Sequence, residues 1–206
     1  MSYFPLFMEL EDRDCLVVGG GRVAWRKVKV LMDFGARVSV VAPEIIPEIG
    51  ELGPEMQAER EFSDGDVRGR TLVVAATDDE ALNQRISRLC QAWSIPVNAV
   101  DQTRDCSFIF PAYVKQGEVV AAFSSGGQSP VMTQYLKAQI KPVMTKELGE
   151  LAACLGSIRD VVHSSVRTEK ARKHLYEELL QLGLQKGKNP ETEEIWNVMK
   201  KYMEQE

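Results

Sequence analysis

The sequence predicts an α/β protein built on a doubly wound parallel sheet, followed by a β-containing region and a C-terminal helical domain. Two observations lead to this prediction. In the first half, short apolar runs alternate with segments whose apolar residues recur at helical spacing, an order typical of parallel sheets covered by helices. After residue 101 this alternation stops, and two β-rich runs give way to helical patterns.

The predicted strands of the sheet are short runs rich in β-branched and apolar residues, as buried parallel strands require. They cover residues 15–18, 36–42, 56–62, 71–76 and 95–100. Apolar spacing predicts helices over 22–34 and 79–93, and Gly35 supplies a stop after the first of them. The prolines between residues 43 and 54 leave room for at most a short helix.

The second half begins with a predicted hairpin of residues 107–114 and 118–124. Ser129 then suits a helix N-cap, and Pro130 suits the first helical position. From residue 131 onward the pattern is helical. Breaks are predicted near four points: Pro142, Gly156, Gly183 and Asn189-Pro190.

The run GGGRVA at residues 19–24 matches the pattern GxGxxA, between a predicted strand and a predicted helix. Gly19 permits a tight turn, Gly21 lets a pyrophosphate approach the backbone, and Ala24 allows close packing of helix on sheet. We therefore predict a Rossmann-type unit that holds a nicotinamide dinucleotide at the N-terminus of this helix. A tight turn without a ligand is the alternative.

The acidic residue that such units carry at the end of the second strand is displaced in this chain. The strand ends in Val-Ala-Pro-Glu at residues 41–44, so Glu44 comes two residues late and follows Pro43. Either Glu44 or the backbone of Ala42 and Pro43 could contact the ribose. No arginine lies at residues 42–44, which favours NAD over NADP.

Composition excludes several classes of function. A formal net charge of −5 argues against general affinity for nucleic acid or anionic membranes. The four cysteines are scattered, so neither a zinc site nor a disulfide framework is expected. No run is apolar and long enough to span a bilayer, and the N-terminus does not resemble a signal peptide. We expect a cytoplasmic protein with reduced thiols and no bound metal.

Two polar segments are candidates for chemistry. Asp101 directly follows the fifth predicted strand, at the edge where open α/β sheets bind ligands. Its carboxylate could accept a proton beside a bound nicotinamide, or it could be a solvated turn residue. The run SSGG at residues 124–127 suits either a second anion cradle or a flexible connection to the next helix.

Several ordered motifs resemble the precorrin-2 dehydrogenase and sirohydrochlorin ferrochelatase family, which forms the N-terminal module of siroheme synthases. The matching segments lie at residues 3–7, 14–27, 75–79, 97–101, 107–111 and 124–131. The resemblance extends from Tyr3 to about Leu155, and the final helices match only in length and character. Together these motifs are far more specific than one glycine turn.

The resemblance implies oxidation of precorrin-2 to sirohydrochlorin with NAD⁺, in homodimers that pair through the region after the Rossmann unit. It places the family's catalytic aspartate at Asp101. It places cofactor contacts at Arg22-Val23, Pro43-Glu44 and Thr77. The serine that is phosphorylated in some members falls on Ser125. Some members also insert Fe²⁺ as a second substrate, and the sequence leaves this activity open.

Because precorrin-2 carries many carboxylates, an acidic protein must gather cations locally to bind it. The candidates for substrate binding are Arg104, Lys115, Ser125, Gly126 and Lys137.

Two other functions stay open: an NAD-sensing regulatory dimer, and a tetrapyrrole carrier without chemistry. The predicted domains are an NAD-binding Rossmann domain at 1–111, a dimerisation region at 112–145 and a helical domain at 146–206.

Overall fold

The computed structural model describes residues 3–100 and 102–203, except for the side chain of Thr103. The chain divides into two compact units, Met1–Phe110 and Pro111–Glu206. The three domains predicted from the sequence stay a prediction. Within the described residues, no helix is long and apolar enough to cross a membrane, and the cytoplasmic location also stays a prediction.

In the described part of the first unit, five parallel strands form one sheet in the order β3-β2-β1-β4-β5. The strands are β1 (Asp14–Val18), β2 (Arg37–Ala42), β3 (Met56–Glu59), β4 (Leu72–Ala75) and β5 (Val97–Ala99). Its helices are α1 (Arg22–Asp33), α2 (Pro47–Glu51) and α3 (Glu80–Ala92), with 3₁₀ turns at Asp64–Val67 and Thr103–Asp105. The predicted doubly wound parallel sheet is confirmed.

The alternation of side chains along β1 shows how both faces of this sheet are buried. Cys15 and Val17 belong to the core cluster that includes α1, whereas Leu16 and Val18 belong to the cluster that includes α3. All four side chains are almost completely buried. A strand buried on both faces reads as a continuous apolar run, which is why the sequence signal here was clear.

The second unit begins with an antiparallel hairpin and continues as helices. Its strands are β6 (Ala112–Gln116) and β7 (Val119–Phe123). Its helices are α4 (Pro130–Ile140), α5 (Lys146–Ser157), α6 (Arg159–Ser165), α7 (Glu169–Lys186) and α8 (Thr192–Met203). The helical core contains Leu175, Leu179 and Val198. The Ser129 hydroxyl caps α4 by accepting a hydrogen bond from the Met132 N–H, as predicted.

Residues 107–111 do not belong to the hairpin, so its predicted first strand was wrong at its start. Ser107 bonds to β5 instead: its N–H donates to the Val97 carbonyl at 2.9 Å, and its hydroxyl accepts from the Val97 N–H at 2.8 Å. Phe108 and Phe110 pack on the first core. Their spacing of two residues imitates a strand, but it serves burial of two rings in a loop.

The helix break predicted near Gly183 was also wrong, because α7 runs through this residue to Lys186. A Cβ at Gly183 would lie only 2.6 Å from the nearest methyl carbon of Leu151. The glycine therefore makes room for close packing of α5 on α7 and does not end a helix. At this position the clash of a side chain with Leu151 would destabilise the protein more than glycine destabilises the helix.

Candidate functional site

The glycine turn after β1 lies where the strand order of the sheet reverses. From β1 the chain proceeds to β2 on one side, and β4 pairs with β1 on the other. Open α/β sheets bind ligands in the crevice outside the carboxyl ends of the strands at such a point. The Gly19 N–H donates to the carbonyl of Val41 at 2.9 Å, so the turn is attached to the end of β2.

Gly19 and Gly20 have no room for a side chain. Gly19 has φ +124°, and a Cβ there would lie 2.2 Å from the Ala76 carbonyl oxygen. At Gly20 the corresponding distance to the Glu44 carbonyl oxygen is 1.9 Å. The Gly20 carbonyl also accepts a hydrogen bond from the Ile46 N–H at 3.0 Å. The loops after β2 and β4 thus both pack against this turn.

Gly21 differs from its two neighbours because its surroundings are open. It is the N-cap of α1, and nothing in the described residues lies within 4 Å of a Cβ built on it. Among the described residues, no side chain caps the N-terminus of α1, and the first turn of α1 has no acidic residue. The first N–H groups of a helix point outward and carry a positive dipole end. The arrangement fits an anionic group close to the backbone.

Thr77 is held at the same edge of the sheet by a buried asparagine. Its hydroxyl bonds to the Asn83 side-chain oxygen at 2.8 Å and to the Asp79 carbonyl at 3.1 Å. The Asn83 amide donates back to the Thr77 carbonyl at 2.9 Å. Asn83 is only 3% exposed, and a buried amide with satisfied bonds fixes its neighbours. The loop after β4 is therefore rigid next to the glycine turn.

The end of β2 supplies the remaining predicted cofactor contacts. Pro43 and Glu44 are exposed, while the Glu44 carbonyl packs against Gly20. Beyond them lies a surface pocket of about 470 Å³ along α1 and the start of α2. Its lining residues are Arg22, Trp25, Arg26, Ile46 and Glu48. The structure thus brings Arg22 and the loop after β2 to one concave surface.

Asp101, the predicted catalytic residue, lies outside the described residues. The chain on either side of it is described at the carboxyl end of β5. The Val100 N–H donates to the Ala75 carbonyl at 2.9 Å, and the Gln102 N–H donates to the Ala99 carbonyl at 3.3 Å. Within the described part of the chain, the buried Gln102 side-chain oxygen has no hydrogen-bond partner.

Cys106, which lies near Asp101 in the sequence, is a structural thiol. Its sulfur donates to the Ala99 carbonyl at 3.1 Å, and the Asn98 amide donates to the Phe108 carbonyl at 3.0 Å. Burial raises the pKa of the Cys106 thiol above its ordinary value. A protonated thiol is a poor nucleophile, which argues against a catalytic role for Cys106. The hydrogen bonds of Cys106 and Asn98 instead stabilise the loop after β5.

The predicted substrate-binding cations fall in both units. In the first unit, Arg104 is 73% exposed at its side chain and lies 3.8 Å from the Glu80 carboxylate and 3.9 Å from that of Asp105. In the second unit, the Lys137 ammonium lies 5.6 Å from the centre of the Tyr113 ring. Lys115 follows Tyr113 by two residues on β6 and shares its face of the hairpin.

The serine-glycine loop is ordered by its own hydrogen bonds. The Ser125 hydroxyl accepts from the Ser129 N–H at 2.9 Å, and the Ser124 hydroxyl accepts from the Gly126 N–H at 3.0 Å. Gly126 and Gly127 have φ values of +63° and +84°. These bonds make an ordered strand-to-helix connection, and a role for Ser125 and Gly126 in substrate binding stays a prediction.

The family described as putative NAD(P)-binding matches residues 6–112, the stretch that contains the parallel sheet and the glycine turn. This chain belongs to that family. The predicted nicotinamide dinucleotide cofactor is therefore confirmed. The glycine turn and the uncapped N-terminus of α1 are the part of this NAD(P)-binding protein that fits the pyrophosphate.

Curated relatives extend the similarity through most of the chain. It is 44% identical over 184 residues to a siroheme synthase of Thioalkalivibrio sulfidiphilus, a match that covers 88% of this chain and 38% of that protein. A siroheme synthase of Nitrosospira multiformis is 42% identical over 188 residues, with 88% and 40% covered. The chain thus spans well under half the length of these relatives.

A solved structure confirms the fold over nearly the whole chain. SirC, a precorrin-2 dehydrogenase, matches with a TM-score of 0.70 and 23% identity, covering 98% of this chain and 100% of that one. The predicted resemblance to siroheme synthases is confirmed by the curated relatives, and the solved structure confirms the fold.

Sequence reasoning missed two residues that shape this site. It assigned no role to Gly20, although the structure packs this glycine against the loop after β2. The sequence did contain a signal. The pattern GxGxxA allows any residue at its second position, so a glycine there needs a separate explanation. It also missed Asn83, a polar residue among the buried positions of α3, which a search for buried amides on an amphipathic helix would have found.

Proposed function

We propose that this protein oxidises precorrin-2 to sirohydrochlorin with NAD⁺. The observation that carries the proposal is the 44% identity with a siroheme synthase over 88% of the chain. The named activity of SirC agrees with it. Siroheme formation from precorrin-2 needs a dehydrogenation, and a nicotinamide dinucleotide is suited to that step.

The residues around the glycine turn are suited to hold a dinucleotide. The backbone N–H groups of Gly21, Arg22 and Val23 would hold the pyrophosphate, since no side chain in the described residues caps α1. Pro43 and Glu44 would contact the adenosine ribose, and Thr77 would lie against the cofactor from the loop after β4. An exposed carboxylate at Glu44 accepts ribose hydroxyls and repels a 2′-phosphate, which supports NAD over NADP.

When bound at this site, NAD⁺ would supply the acceptor for a hydride from a carbon of precorrin-2. Loss of that hydride leaves the macrocycle with a proton to give up, and the products are sirohydrochlorin, NADH and H⁺. We assign acceptance of this proton to the carboxylate of Asp101. Its sequence position directly after Val100, whose backbone bonds to β4, supports this role for a base at the carboxyl edge of the sheet.

Cations are needed to hold the carboxylate arms of precorrin-2. Arg104, Lys115 and Lys137 are our candidates. Lys137 is supported by its position over the Tyr113 ring and Lys115 by its place on the same face of β6. Among the described residues, the exposed guanidinium of Arg104 has two long contacts with acidic groups, at 3.8 and 3.9 Å. Weak surface ion pairs of this kind exchange easily for a ligand carboxylate.

A decisive assay mixes the full chain with enzymatically made precorrin-2 and NAD⁺ and follows the sirohydrochlorin absorption spectrum. Turnover supports the dehydrogenase. NADH binding without turnover would instead favour a regulatory NAD sensor, and tetrapyrrole binding without turnover would favour a carrier. Adding Fe²⁺ or Co²⁺ after the first step tests whether the protein also inserts metal.

The Asp101→Asn variant tests the assigned base. It should bind NADH as tightly as the parent and lose at least about a hundredfold in kcat, which is the usual contribution of a general base. The matched control is Asp14→Asn, at the amino end of β1, where Asp14 pairs with Arg37 on the surface. Normal turnover by Asp101→Asn would remove Asp101 from the mechanism.

We further propose that two copies of the chain pair through residues 112–145. The helix α4 has no buried residue, and its large apolar side chains Val131, Met132 and Tyr135 are 79%, 52% and 58% exposed. An exposed apolar face on a short helix usually marks a protein interface. Light scattering should show a dimer, and Val131→Glu with Tyr135→Glu should yield monomers; a monomeric parent would contradict the proposal.

A further inference from the structure

A second concave site lies within the helices of the second unit, apart from every residue assigned above. It is a pocket of about 490 Å³ lined by α5, α6 and α7, which we call the basic pocket. Its charged lining residues are Arg159, Glu169, Arg172 and Lys173, and His163 also lines it. Pockets of this volume hold small molecules, and this one concentrates positive charge in a chain of net charge −5.

The cations of the basic pocket are available to a ligand. One nitrogen of Arg172 donates to the carbonyls of Val166 and Arg167, at 3.0 and 3.2 Å, which fixes the guanidinium. A guanidinium has five N–H donors, so most of them are left for another partner. The Lys173 ammonium lies 3.8 Å from Glu177, and its side chain is 73% exposed. That contact is too long and too exposed to hold it firmly.

Tyr176 belongs to the wall of the basic pocket and carries a buried hydroxyl. The hydroxyl oxygen has no hydrogen-bond partner in the described part of the chain. Burial raises the pKa of Tyr176, so the hydroxyl stays protonated and can donate. A buried hydroxyl without a partner is unfavourable, and an acceptor atom from a ligand that reaches it would remove that cost.

The same wall has space and apolar surface. Gly156 has nothing within 4 Å of a Cβ built on it in the described residues, and Leu155 and the Tyr176 ring supply apolar contact. An inorganic ion alone would leave most of this volume empty. The pocket therefore suits a molecule that carries more than one acid group.

We propose that the basic pocket binds a small polyanion, whose acid groups pair with Arg159, Arg172 and Lys173. The Tyr176 hydroxyl donates to one of its oxygen atoms. Carboxylate and phosphate groups share the recognition chemistry, because both accept bidentate hydrogen bonds from arginine. The proposal does not depend on the oxidation of precorrin-2, since it concerns residues outside the dinucleotide site.

The test is calorimetric titration of the full chain, saturated with NADH, with citrate and, separately, with pyrophosphate, at constant ionic strength. Saturation with NADH keeps pyrophosphate out of the dinucleotide site. At least one probe should bind with a Kd of about 1 mM or tighter. Preference for citrate identifies a carboxylate ligand, and preference for pyrophosphate identifies a phosphorylated one. No binding of either probe to the NADH-saturated chain would overturn the proposal.

Three variants locate the binding. Arg159→Ala and Lys173→Ala, each made alone, should weaken it severalfold, because each removes a charge-assisted hydrogen bond. Lys170→Ala removes an equal charge from the exposed first turn of α7 but does not line the pocket, so it should change the Kd less than twofold. Equal losses in all three variants would show that the probe responds only to the overall charge of the protein and would contradict the proposal.

Tyr176→Phe gives an independent readout. Its hydroxyl has no partner to lose, so the thermal midpoint without ligand should stay equal or rise. The affinity for the better probe should fall severalfold. An unchanged Kd in this variant would show that the hydroxyl does not contact the ligand and would overturn that part of the site. A far-UV circular dichroism spectrum like that of the parent confirms that each variant keeps the helices of the second unit.

Discussion

The protein contains two glycine loops between a strand and a helix, and they depend on glycine for different reasons. At Gly19 and Gly20 in the first unit, a Cβ would lie 2.2 and 1.9 Å from a backbone oxygen. At Gly126 and Gly127 in the second unit, no described atom lies within 4 Å, but both φ values are positive. Gly20 is needed for space alone, and Gly126 and Gly127 are needed for backbone conformation alone. Gly19, with φ +124°, is needed for both reasons.

The difference teaches what each loop can tolerate. A contact with fixed backbone cannot be relieved by moving a side chain, so substitution in the first loop must displace a neighbouring loop. A positive φ costs a non-glycine residue about 1–2 kcal/mol and disturbs nothing else. Substitutions in the two loops should therefore separate clearly in stability and in ligand binding.

Gly20→Ala should have the largest effect. Its Cβ overlaps the Glu44 carbonyl, so the loop after β2 must move, and overpacking of this kind costs about 3 kcal/mol or more. Urea denaturation should show this loss in the free energy of unfolding, and NADH titration should show a loss of affinity. A variant as stable as the parent would show that the loop after β2 moves freely.

The stability of the first unit should fall at alkaline pH because this unit contains two buried thiols. Burial raises the pKa of Cys15 and Cys90 from 9.0 to about 11, and both lie in the first unit. A raised pKa stabilises the fold below pH 9.0 and this stability is lost as the pH rises toward 11. We expect a loss of about 2 kcal/mol for each thiol over this range, and therefore about 4 kcal/mol for the two.

The control for the alkaline experiment is the variant Cys15→Ala with Cys90→Ala. Other groups titrate in the same range, so the two thiols account only for the difference in slope between the parent and this variant. Denaturant melts at several pH values measure both slopes. Identical slopes would mean that the two thiols ionise in the folded protein as easily as in the unfolded chain.

Gly21→Ala should affect the ligand and leave the fold intact. Nothing in the described residues would meet its Cβ, so we expect a change in the free energy of unfolding below about 0.5 kcal/mol. The Cβ would occupy the space where the pyrophosphate meets the backbone, and NADH affinity should fall about tenfold or more. Unchanged affinity would place the dinucleotide elsewhere.

Gly126→Ala should cost about 1 kcal/mol through its φ of +63°. Gly126→Asn should cost less, because asparagine adopts this conformation more easily than alanine. Thermal melts of the two variants give the comparison. If Gly126→Ala instead destabilises the protein as strongly as Gly20→Ala, the second loop is packed against a neighbour such as a second copy of the chain.

The sequence predicted the elements of the parallel sheet well because burial on both faces leaves an unmistakable apolar run at β1 and β4. It failed where one pattern serves two purposes. The alternation of Phe108 and Phe110 imitates a strand but buries rings in a loop, and Gly183 imitates a helix stop but accommodates Leu151. In both places long-range packing decided the local structure.

The parts of the candidate site that are made of residues close together in the sequence were predictable. The turn at Gly19 and Gly21 was predicted because a pyrophosphate site is local. The contact of Gly20 with Glu44 and the bond of Asn83 with Thr77 join residues that only the folded sheet brings together. A motif search has no access to such pairs without knowledge of strand order.

The contact between Gly20 and the Glu44 carbonyl has a consequence for engineering cofactor preference. Exchanging the loop after β2 is the obvious route from NAD to NADP, because we propose that this loop contacts the adenosine ribose. In this protein the graft would also have to reproduce a backbone oxygen that fits against Gly20 and an N–H like that of Ile46 that bonds to it. Donor loops should therefore be chosen by backbone geometry first and by side-chain charge second.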